Sequence, residues 1–577
     1  MSNKEQKHPK GLYILFFTEM WERFGYYLML GIFSLYMIDS WDAGGMGFSA
    51  EKKSDIYGTY LGLVYLTPFI GGLLADRVFG YRKSIVAGGI LMAAGYLGLS
   101  AHDETTFYIS LLLIILGNGF FKPNISTLVG NLYNDDRYRD NKDAGYNIFY
   151  MGINIGAFVC NFVAAYMRNN LGWGYAFSAA GVGMLIGVVI FLAGTRHVKE
   201  ADVMKPTQKG DMSLAQIFGF VLLPMFVFGI IGYFINGVTS ASNPHGNLLG
   251  SDTNDAFLIG CVPVIGFFIY MYIKANQDDK RPIGALLAVY ACLVVFWAVF
   301  HQNGDALTVW AEDYSNREMP AGIEKAANTL GISQTITYGE FVDYSNTSFK
   351  GRMDSLGAVK KGYLDAENYK AAKDLAQQIK LEESSVKYLS NLPKEQWPQK
   401  GNSLKLVSTE LYQSVNPFWV ILLTPIVVGF FGFLRKRGKE PATPAKIAIG
   451  LFITALSALV MVGAVKATNL DSEKASSWWL IMTYGVITIG ELCLSPMGLS
   501  LVSKLSPPRI TALMMGGFFL STAVGNKLSG MLSSLWETFD DKSNFFLLNF
   551  GLAIGATLMM VLLLKWLIAV MREKNIK

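Results

Sequence analysis

Histidine and cysteine are scarce in this chain of 577 residues, which contains five of the first and four of the second. The histidines are scattered, and the cysteines lie far apart in apolar stretches, at Cys160, Cys261, Cys292 and Cys493. A metal site needs clustered ligands, and a catalytic nucleophile needs a base beside it. The sequence has neither spacing and no disulfide framework, so we do not expect an enzyme.

Charged residues are also few. They make up 16% of the chain, against roughly 25% in soluble proteins, while hydrophobic residues make up 52%. No cleavable signal precedes the first apolar stretch, which is too long and carries Glu and Arg. The sequence predicts an all-α integral membrane protein with about fourteen stretches near the ~20 residues that span a bilayer: 12–38, 54–78, 84–100, 107–129, 144–167, 174–193, 214–236, 256–273, 283–311, 416–434, 445–465, 477–502, 511–535 and 545–570.

Lys and Arg concentrate in alternate loops, such as residues 77–83, 137–142 and 435–439. Because cytoplasmic loops carry the excess of these residues, we expect both termini in the cytoplasm. The net charge of +5 reflects this bias and gives no reason to propose a nucleic-acid partner. The polar stretch 314–415 then falls on the outer side. We expect a partly folded extramembrane insert there, with a plain linker as the alternative.

The first apolar stretch contains five polar side chains, Glu19, Glu22, Arg23, Tyr26 and Tyr27. Helical periodicity brings positions 19, 22, 23 and 26 onto one stripe. An ion in hydrocarbon costs at least ~2.5 kcal/mol, so such groups normally face a wet cavity and pair with one another. The stripe therefore predicts a polar cavity inside the helix bundle.

Other stretches repeat this anomaly. A single Asn or Tyr within a span can be ordinary interhelical bonding, and Asp305 and Asn416 could lie at the headgroup level. For mid-span Lys122, Glu22 and Glu491 the plain alternative is a structural ion pair. The polar residues concerned are Tyr65, Lys122, Asn154, Trp297, His301, Gln302, Asn303, Asp305, Asn416 and Glu491.

Residues 72–83, GLLADRVFGYRK, resemble the loop signature of the major facilitator superfamily. The resemblance implies that this loop is a structural latch favouring one gate state, and we do not expect it to bind substrate. Its members here are Gly72, Asp76, Arg77, Gly80 and Arg82.

Residues 19–27, EMWERFGYY, are similar to the first-helix motif of the proton-dependent oligopeptide transporter (POT) family. Residues 149–156 and 490–499 are similar to its fifth-helix and late signatures, and 122–124, 296–297 and 413–417 also match. The resemblance, to bacterial members, covers nearly the whole chain outside the insert. It implies the major facilitator fold in a bacterial inner membrane: a six-helix bundle (1–200), an extra helical pair with linkers (201–280), and a second bundle (281–313 and 416–577) interrupted by the insert (314–415).

This family carries di- and tripeptides, and the residues fit that substrate. A short peptide is a zwitterion, so a carrier that accepts many sequences must hold its two ends. Arg23 and Lys122 can hold the carboxylate, and Glu491 can hold the amino group. Amide contacts and walls with polar tips complete the expected site: Asn154, Asn416, Tyr26, Tyr27, Tyr65, Trp297 and Phe518, the last where the family usually has Trp.

Proton coupling needs a carboxyl group whose protonation depends on substrate. We expect Glu19 and Glu22, beside Arg23 and Lys122, to fill this role, because protonating one acid frees a cation for the peptide carboxylate. Many bacterial relatives pair an Arg with an acid where this chain has Leu30 and His301. An imidazole titrates near neutrality, so His301 could take part in coupling.

The predicted function is thus proton-coupled symport of di- and tripeptides, driven by the proton gradient without a cofactor, by a protein expected to be monomeric in the lipid bilayer. Two alternatives stay open: transport of another small anion such as nitrate, and a peptide sensor that binds without transporting.

Overall fold

The computed structural model describes residues 8–135, 137–138, 142–203, 213–235, 248–319, 321–337, 359, 388–389, 392–397, 402–507 and 510–574. The N-terminal half is a bundle in which α1, α5 and α6 pack together and α4 packs between α2 and α3, around one apolar core. Its helices are α1 (Lys10–Ile38), α2 (Ala50–Leu74), α3 (Tyr81–Gly98), α4 (Glu104–Leu132), α5 (Lys142–Asn170) and α6 (Trp173–Gly194).

Two further helices, α7 (Leu223–Phe234) and α8 (Asp252–Lys274), follow the first bundle and pack against each other. A short helix, Leu214–Ile217, and a π-helical turn, Phe218–Leu222, lead into α7. The pair therefore corresponds to the extra helices expected between the halves.

The C-terminal half contains a second apolar core, around which α9 packs on α15 and α16, and α13 packs on α14 and α16. Its helices are α9 (Gln277–Phe300), α10 (Ala306–Asp313), α12 (Val415–Lys436), α13 (Thr443–Ala467), α14 (Ser477–Leu505), α15 (Thr511–Ser534) and α16 (Lys542–Glu573), with α11 (Ala321–Thr329) in the segment between α10 and α12.

The described residues of the segment 314–415 include strands and short helices. Strand β2 (Ser333–Thr337) pairs antiparallel with β3 (Ser403–Val407), and β1 (Ser315–Asn316) pairs parallel with β4 (Ala475–Ser476), just before α14. We call this segment the insert. The end of the bundle from which it leaves, where α1 ends and α2 begins, is called the insert end.

The two halves join mainly through α2 with α15 and α5 with α12. Near the insert end the α2 and α15 backbones come very close: a Cβ placed on Gly58 would lie 2.9 Å from the Gly530 Cα. Side chains larger than hydrogen do not fit there without moving a helix, so these two glycines permit the contact.

Ten of the described helices are long and apolar enough to cross a membrane. The predicted stretches 12–38, 54–78, 214–236 and 511–535 also contain helices but fall outside this set, so the count of fourteen stays a prediction. The stretch 283–311 lies within one span, Gln277–Asp313, in which a 3₁₀ turn at His301–Gly304 separates α9 from α10.

Candidate functional site

The polar stripe of α1 forms a compact buried ion cluster. Arg23 Nε donates to Glu19 Oε1 at 2.9 Å and lies 2.5 Å from Glu22 Oε2. All three side chains are at most 4% exposed. The i to i+4 and i to i+1 spacings produce this arrangement on a straight helix, and it agrees with the sequence prediction.

Both acids contact Nε of Arg23, so the donors on the far side of the guanidinium bond neither acid. Among the described residues, buried Arg23 Nη2 has no hydrogen-bond partner, and the one ion pair of Glu22 is with Arg23. A buried charged donor without a partner is costly. It is therefore the natural place for a ligand carboxylate, which a guanidinium binds through two parallel bonds.

Lys122 lies in α4 directly before Pro123, within a helix that continues through the proline. Its Nζ lies 4.0 Å from the centre of the Tyr65 ring on α2, a cation–π contact. Among the described residues it forms no ion pair within 4.0 Å. The contact leaves its ammonium, like Arg23 Nη2, without a carboxylate partner.

The C-terminal half contributes an acid. Asn416 Nδ2 on α12 donates to Thr488 Oγ1 at 2.8 Å and to Glu491 Oε2 at 3.4 Å, both on α14. Asn416 and Glu491 are only half-buried. Asn416 therefore orients Glu491, and the depth of Asn416 in the membrane stays a prediction.

Three phenols connect the two charged poles. Tyr27 and Tyr65 each interact electrostatically with both Arg23 and Glu491. Tyr150 on α5 does the same, yet its side chain is 55% exposed. Arg23, Glu491 and these three phenols are therefore grouped in one region between the halves, which we call the compartment.

The end of α9 forms one wall of this compartment. The His301 ring packs on Tyr65 and Trp297, with ring centres 5.9 and 5.3 Å apart. His301 Nδ1 lies 3.3 Å from the Trp297 carbonyl, and Trp297 Nε1 is buried without a partner. His301 thus contacts the aromatic wall directly, and Tyr65 connects it to Lys122.

Two predicted substrate residues are not brought into this group. Asn154 Nδ2 donates to the Tyr150 carbonyl of its own helix at 2.9 Å. Phe518 is buried in the C-terminal core, where its ring meets those of Tyr290 and Phe519. Their roles in binding stay predictions.

Sequence reasoning missed several tyrosines of the site. Tyr150 lies four residues before Asn154 and shares its helix face. Tyr60 and Tyr96 have buried hydroxyls without partners, and both interact electrostatically with Glu22. Tyrosines in the middle of apolar stretches were the available signal.

The structure describes the surroundings of some of the predicted latch residues. A Cβ on Gly72 would contact the Pro123 side chain at 3.4 Å, and Gly80 has φ +77°, a conformation that favours glycine. Arg82 Nε pairs with Asp202 Oδ2 at 2.8 Å, a partner that sequence reasoning did not identify. The side chains of Asp76 and Arg77 lie outside the described residues.

Sequence reasoning also missed three ion pairs that join the halves near the insert end. Lys53 on α2 pairs with Asp305 before α10, and both side chains are at most 4% exposed. Lys527 on α15 pairs with Asp55 on α2 at 2.7 Å. Arg168 on α5 pairs with Glu410 before α12, also at 2.7 Å. Asp305 is thus buried and paired, and its depth in the membrane stays a prediction.

Within the described ranges, no group of three or more His, Cys, Asp or Glu side chains could hold a metal ion. The four cysteines are buried and free.

Two helical halves around a cavity with buried charges of both signs define a membrane transporter of the major facilitator fold. Residues 82–327 and 402–548 match the sequence profile described as the POT family. The chain belongs to the POT family.

Relatives of known name agree. The chain is 28% identical over 572 residues to a di-/tripeptide transporter of Lactococcus lactis subsp. lactis, covering 97% of each chain. It is 27% identical over 542 residues to dipeptide and tripeptide permease A of Proteus mirabilis, covering 93% of this chain and 88% of the relative.

Solved structures agree as well. A crystal structure of the peptide transporter POT in complex with sulfate has a TM-score of 0.72 and 26% identity. A mutant of a peptide transporter POT in complex with alafosfalin has a TM-score of 0.70 and 27% identity. Each comparison covers 98% of this chain and 96% of the solved one.

Proposed function

We propose that this protein imports di- and tripeptides together with protons, by exposing one central site alternately to the two sides of the membrane. The observation that carries the proposal is the shared compartment of Arg23 and Glu491. A zwitterion needs a cation and an anion at opposite walls of one cavity, and the phenols that reach both poles supply the wall between them. The names of the relatives in Lactococcus lactis and Proteus mirabilis support the same substrate class.

The peptide carboxylate binds at Arg23 and Lys122. Arg23 offers Nη2, which has no partner, and Lys122 offers an ammonium held against the Tyr65 ring. The amino group binds at Glu491, which Asn416 orients. Walls that accept varied side chains are formed by Trp297, Tyr26 and Tyr27.

Charge balance explains the coupling. Glu19 and Glu22 neutralise Arg23 and Lys122 when the site is empty, so an arriving carboxylate leaves one negative charge in excess. Protonation of Glu22 removes that excess, since its ionised form is favoured by Arg23 and Lys122, for which the peptide carboxylate competes. Peptide and proton therefore raise each other's affinity, as symport requires.

Alternating access fits the ion pairs between the halves. The ion pairs Lys53–Asp305, Lys527–Asp55 and Arg168–Glu410 join the halves at the insert end, while Tyr150 in the compartment is 55% exposed. We assign the insert end to the outer side of a bacterial inner membrane and both termini to the cytoplasm. The state described is then closed outward, and the transporter works as a monomer driven by the proton gradient, with no cofactor.

The test uses purified protein in liposomes and labelled alanyl-alanine. Wild-type protein is expected to accumulate the dipeptide under an inward proton gradient and to exchange it without one. Glu22→Gln should lose accumulation at least tenfold and keep exchange, because the neutral side chain mimics the protonated acid permanently. Glu51→Gln, at an exposed acid of α2, is the matched control and should behave as wild type.

Three outcomes would contradict the proposal. Accumulation at the wild-type rate in Glu22→Gln would exclude the proposed coupling site. Saturable dipeptide binding without any flux would instead indicate a sensor, and uptake of nitrate in preference to dipeptides would indicate an anion transporter.

A further inference from the structure

The insert is carried by the C-terminal half but bonded to the N-terminal half. Three consecutive residues at the end of α5 make these bonds. Arg168 Nη1 donates to Glu410 Oε2 at 2.7 Å, Asn169 Nδ2 to Ser408 Oγ at 2.6 Å, and Asn170 Nδ2 to the Gly331 carbonyl at 2.9 Å. All three acceptors belong to the insert.

The contact is built into the folded part of the insert. Ser408 Oγ donates to the Ile332 carbonyl at 2.8 Å, which ties the two strands of the β2–β3 ladder together where they meet α5. Ile336 and Leu406 are buried with Tyr388 and Leu389 in a small core of their own. The acceptors for α5 are therefore held in place by structure on the insert side.

The insert is also fixed to the C-terminal half. Arg317, 1% exposed, donates to Gln334 Oε1 at 2.6 Å and to the Val407 carbonyl at 3.0 Å, one on each strand of the ladder. Its Nη2 lies 3.7 Å from Glu312 at the end of α10. The described part of the insert is thus linked to α10 both along the chain and through the Arg317–Glu312 contact.

We propose that the insert is a clasp, a conformational device that holds the two halves together at the insert end and must release α5 in each transport cycle. The inference rests on the proposed function, since only alternating access requires the halves to separate there. Arg168 and Glu410 are 6% and 0% exposed in the closed state. When the halves separate, water reaches both charges. In the closed state neither charge is hydrated, so the closed state requires the ion pair to remain intact.

A reversible cross-link tests the clasp. The change is Asn169→Cys with Ser408→Cys, whose present side chains are in hydrogen-bond contact. Oxidation is expected to lower both uptake and exchange of alanyl-alanine at least tenfold, and a reductant should restore them. The single variants control for the native cysteines, which are buried and free.

A second pair inside the insert is the matched control. Thr335 and Lys405 lie opposite each other in the β2–β3 register, so Thr335→Cys with Lys405→Cys links the ladder to itself and leaves α5 free. Its oxidation should leave transport unchanged. Unchanged exchange in protein with a verified 169–408 link would overturn the clasp.

A distance measurement separates this inference from the proposed function. Spin labels at Leu171 and Leu330, both exposed, report the gap between α5 and the insert without any substrate. Two distance populations are expected in wild type, and Arg168→Leu should enrich the longer one. A single short distance in both proteins would reject the clasp, whether or not dipeptides are transported. Failure of transport with two distances present would reject the proposed function alone.

Discussion

Removal of Lys53 should open the insert end. Lys53→Met leaves the carboxylate of Asp305, which is 0% exposed, without its counter-ion. In the part of the chain that the structure describes, the Ser34 hydroxyl at 3.4 Å is the one remaining hydrogen-bond partner of Oδ1, and Oδ2 has none. Breaking a buried pair from one side costs about 3–5 kcal/mol. In the open state water hydrates the carboxylate, so most of that cost falls on the closed state.

The expected shift in the ratio of open to closed protein is therefore about two to four powers of ten, at about 1.36 kcal/mol for each. Spin labels at Glu51 and Asp471, exposed positions on different halves, measure the separation of the insert end. Lys53→Met should enrich the long distance and lower dipeptide accumulation. Because hydrophobic replacement of a whole buried pair is close to neutral, Lys53→Met with Asp305→Leu should return towards the wild-type distribution.

Two results would contradict this role of the Lys53–Asp305 pair. An unchanged distance distribution in Lys53→Met would show that the pair does not hold the halves together. A double variant displaced as far as the single one would show that the effect arises from lost packing, and not from an unpaired buried charge.

Three further results are expected. His301→Gln should change the pH dependence of uptake if the imidazole takes part in coupling, and an unchanged profile would exclude that role. Gly530→Val should lower exchange at least tenfold, because a Cβ there would lie 2.5 Å from the Ser54 carbonyl and keep α2 and α15 apart; full exchange would contradict this. Burial lowers the pKa of Lys474 to about 8, so the folded state binds fewer protons than the unfolded state between pH 8 and its ordinary value, 10.5. The melting temperature of wild type minus that of Lys474→Met should therefore increase between about pH 7.5 and about pH 9.5. A constant difference would refute this expectation.

The local parts of the site could be predicted from the sequence. Glu19, Glu22 and Arg23 are neighbours on one helix, so periodicity alone brings them together. Lys122 and Glu491 were recognisable because an ion within an apolar span needs a polar surrounding. The contact of Asn416 with Glu491 did not follow from periodicity, since the two residues lie on different helices.

The pairs between the halves could not be predicted in this way. Lys53 and Asp305 are separated by 252 residues, and Arg168 and Glu410 by 242. Each lies near a helix end, where a charge is ordinary, and nothing in the local pattern names its partner. The turn at His301–Gly304 was more accessible, because the polar run HQNGD is a poor continuation of an apolar helix.

The Lys53–Asp305 pair and the turn at His301–Gly304 together bear on Leu30 and His301, the positions where many relatives carry an Arg and an acid. One helical turn further along α1, Ser34 Oγ donates to the Gly304 carbonyl at 2.9 Å and contacts Asp305. Asp305 lies four residues beyond His301 and pairs with Lys53. The charged contact between α1, α2 and the end of α9 is thus present, but one turn nearer the insert end. Closure there does not require a titrating acid at position 301, so the proposed coupling rests on the Glu22 and Arg23 cluster, and a role of His301 in coupling stays a prediction.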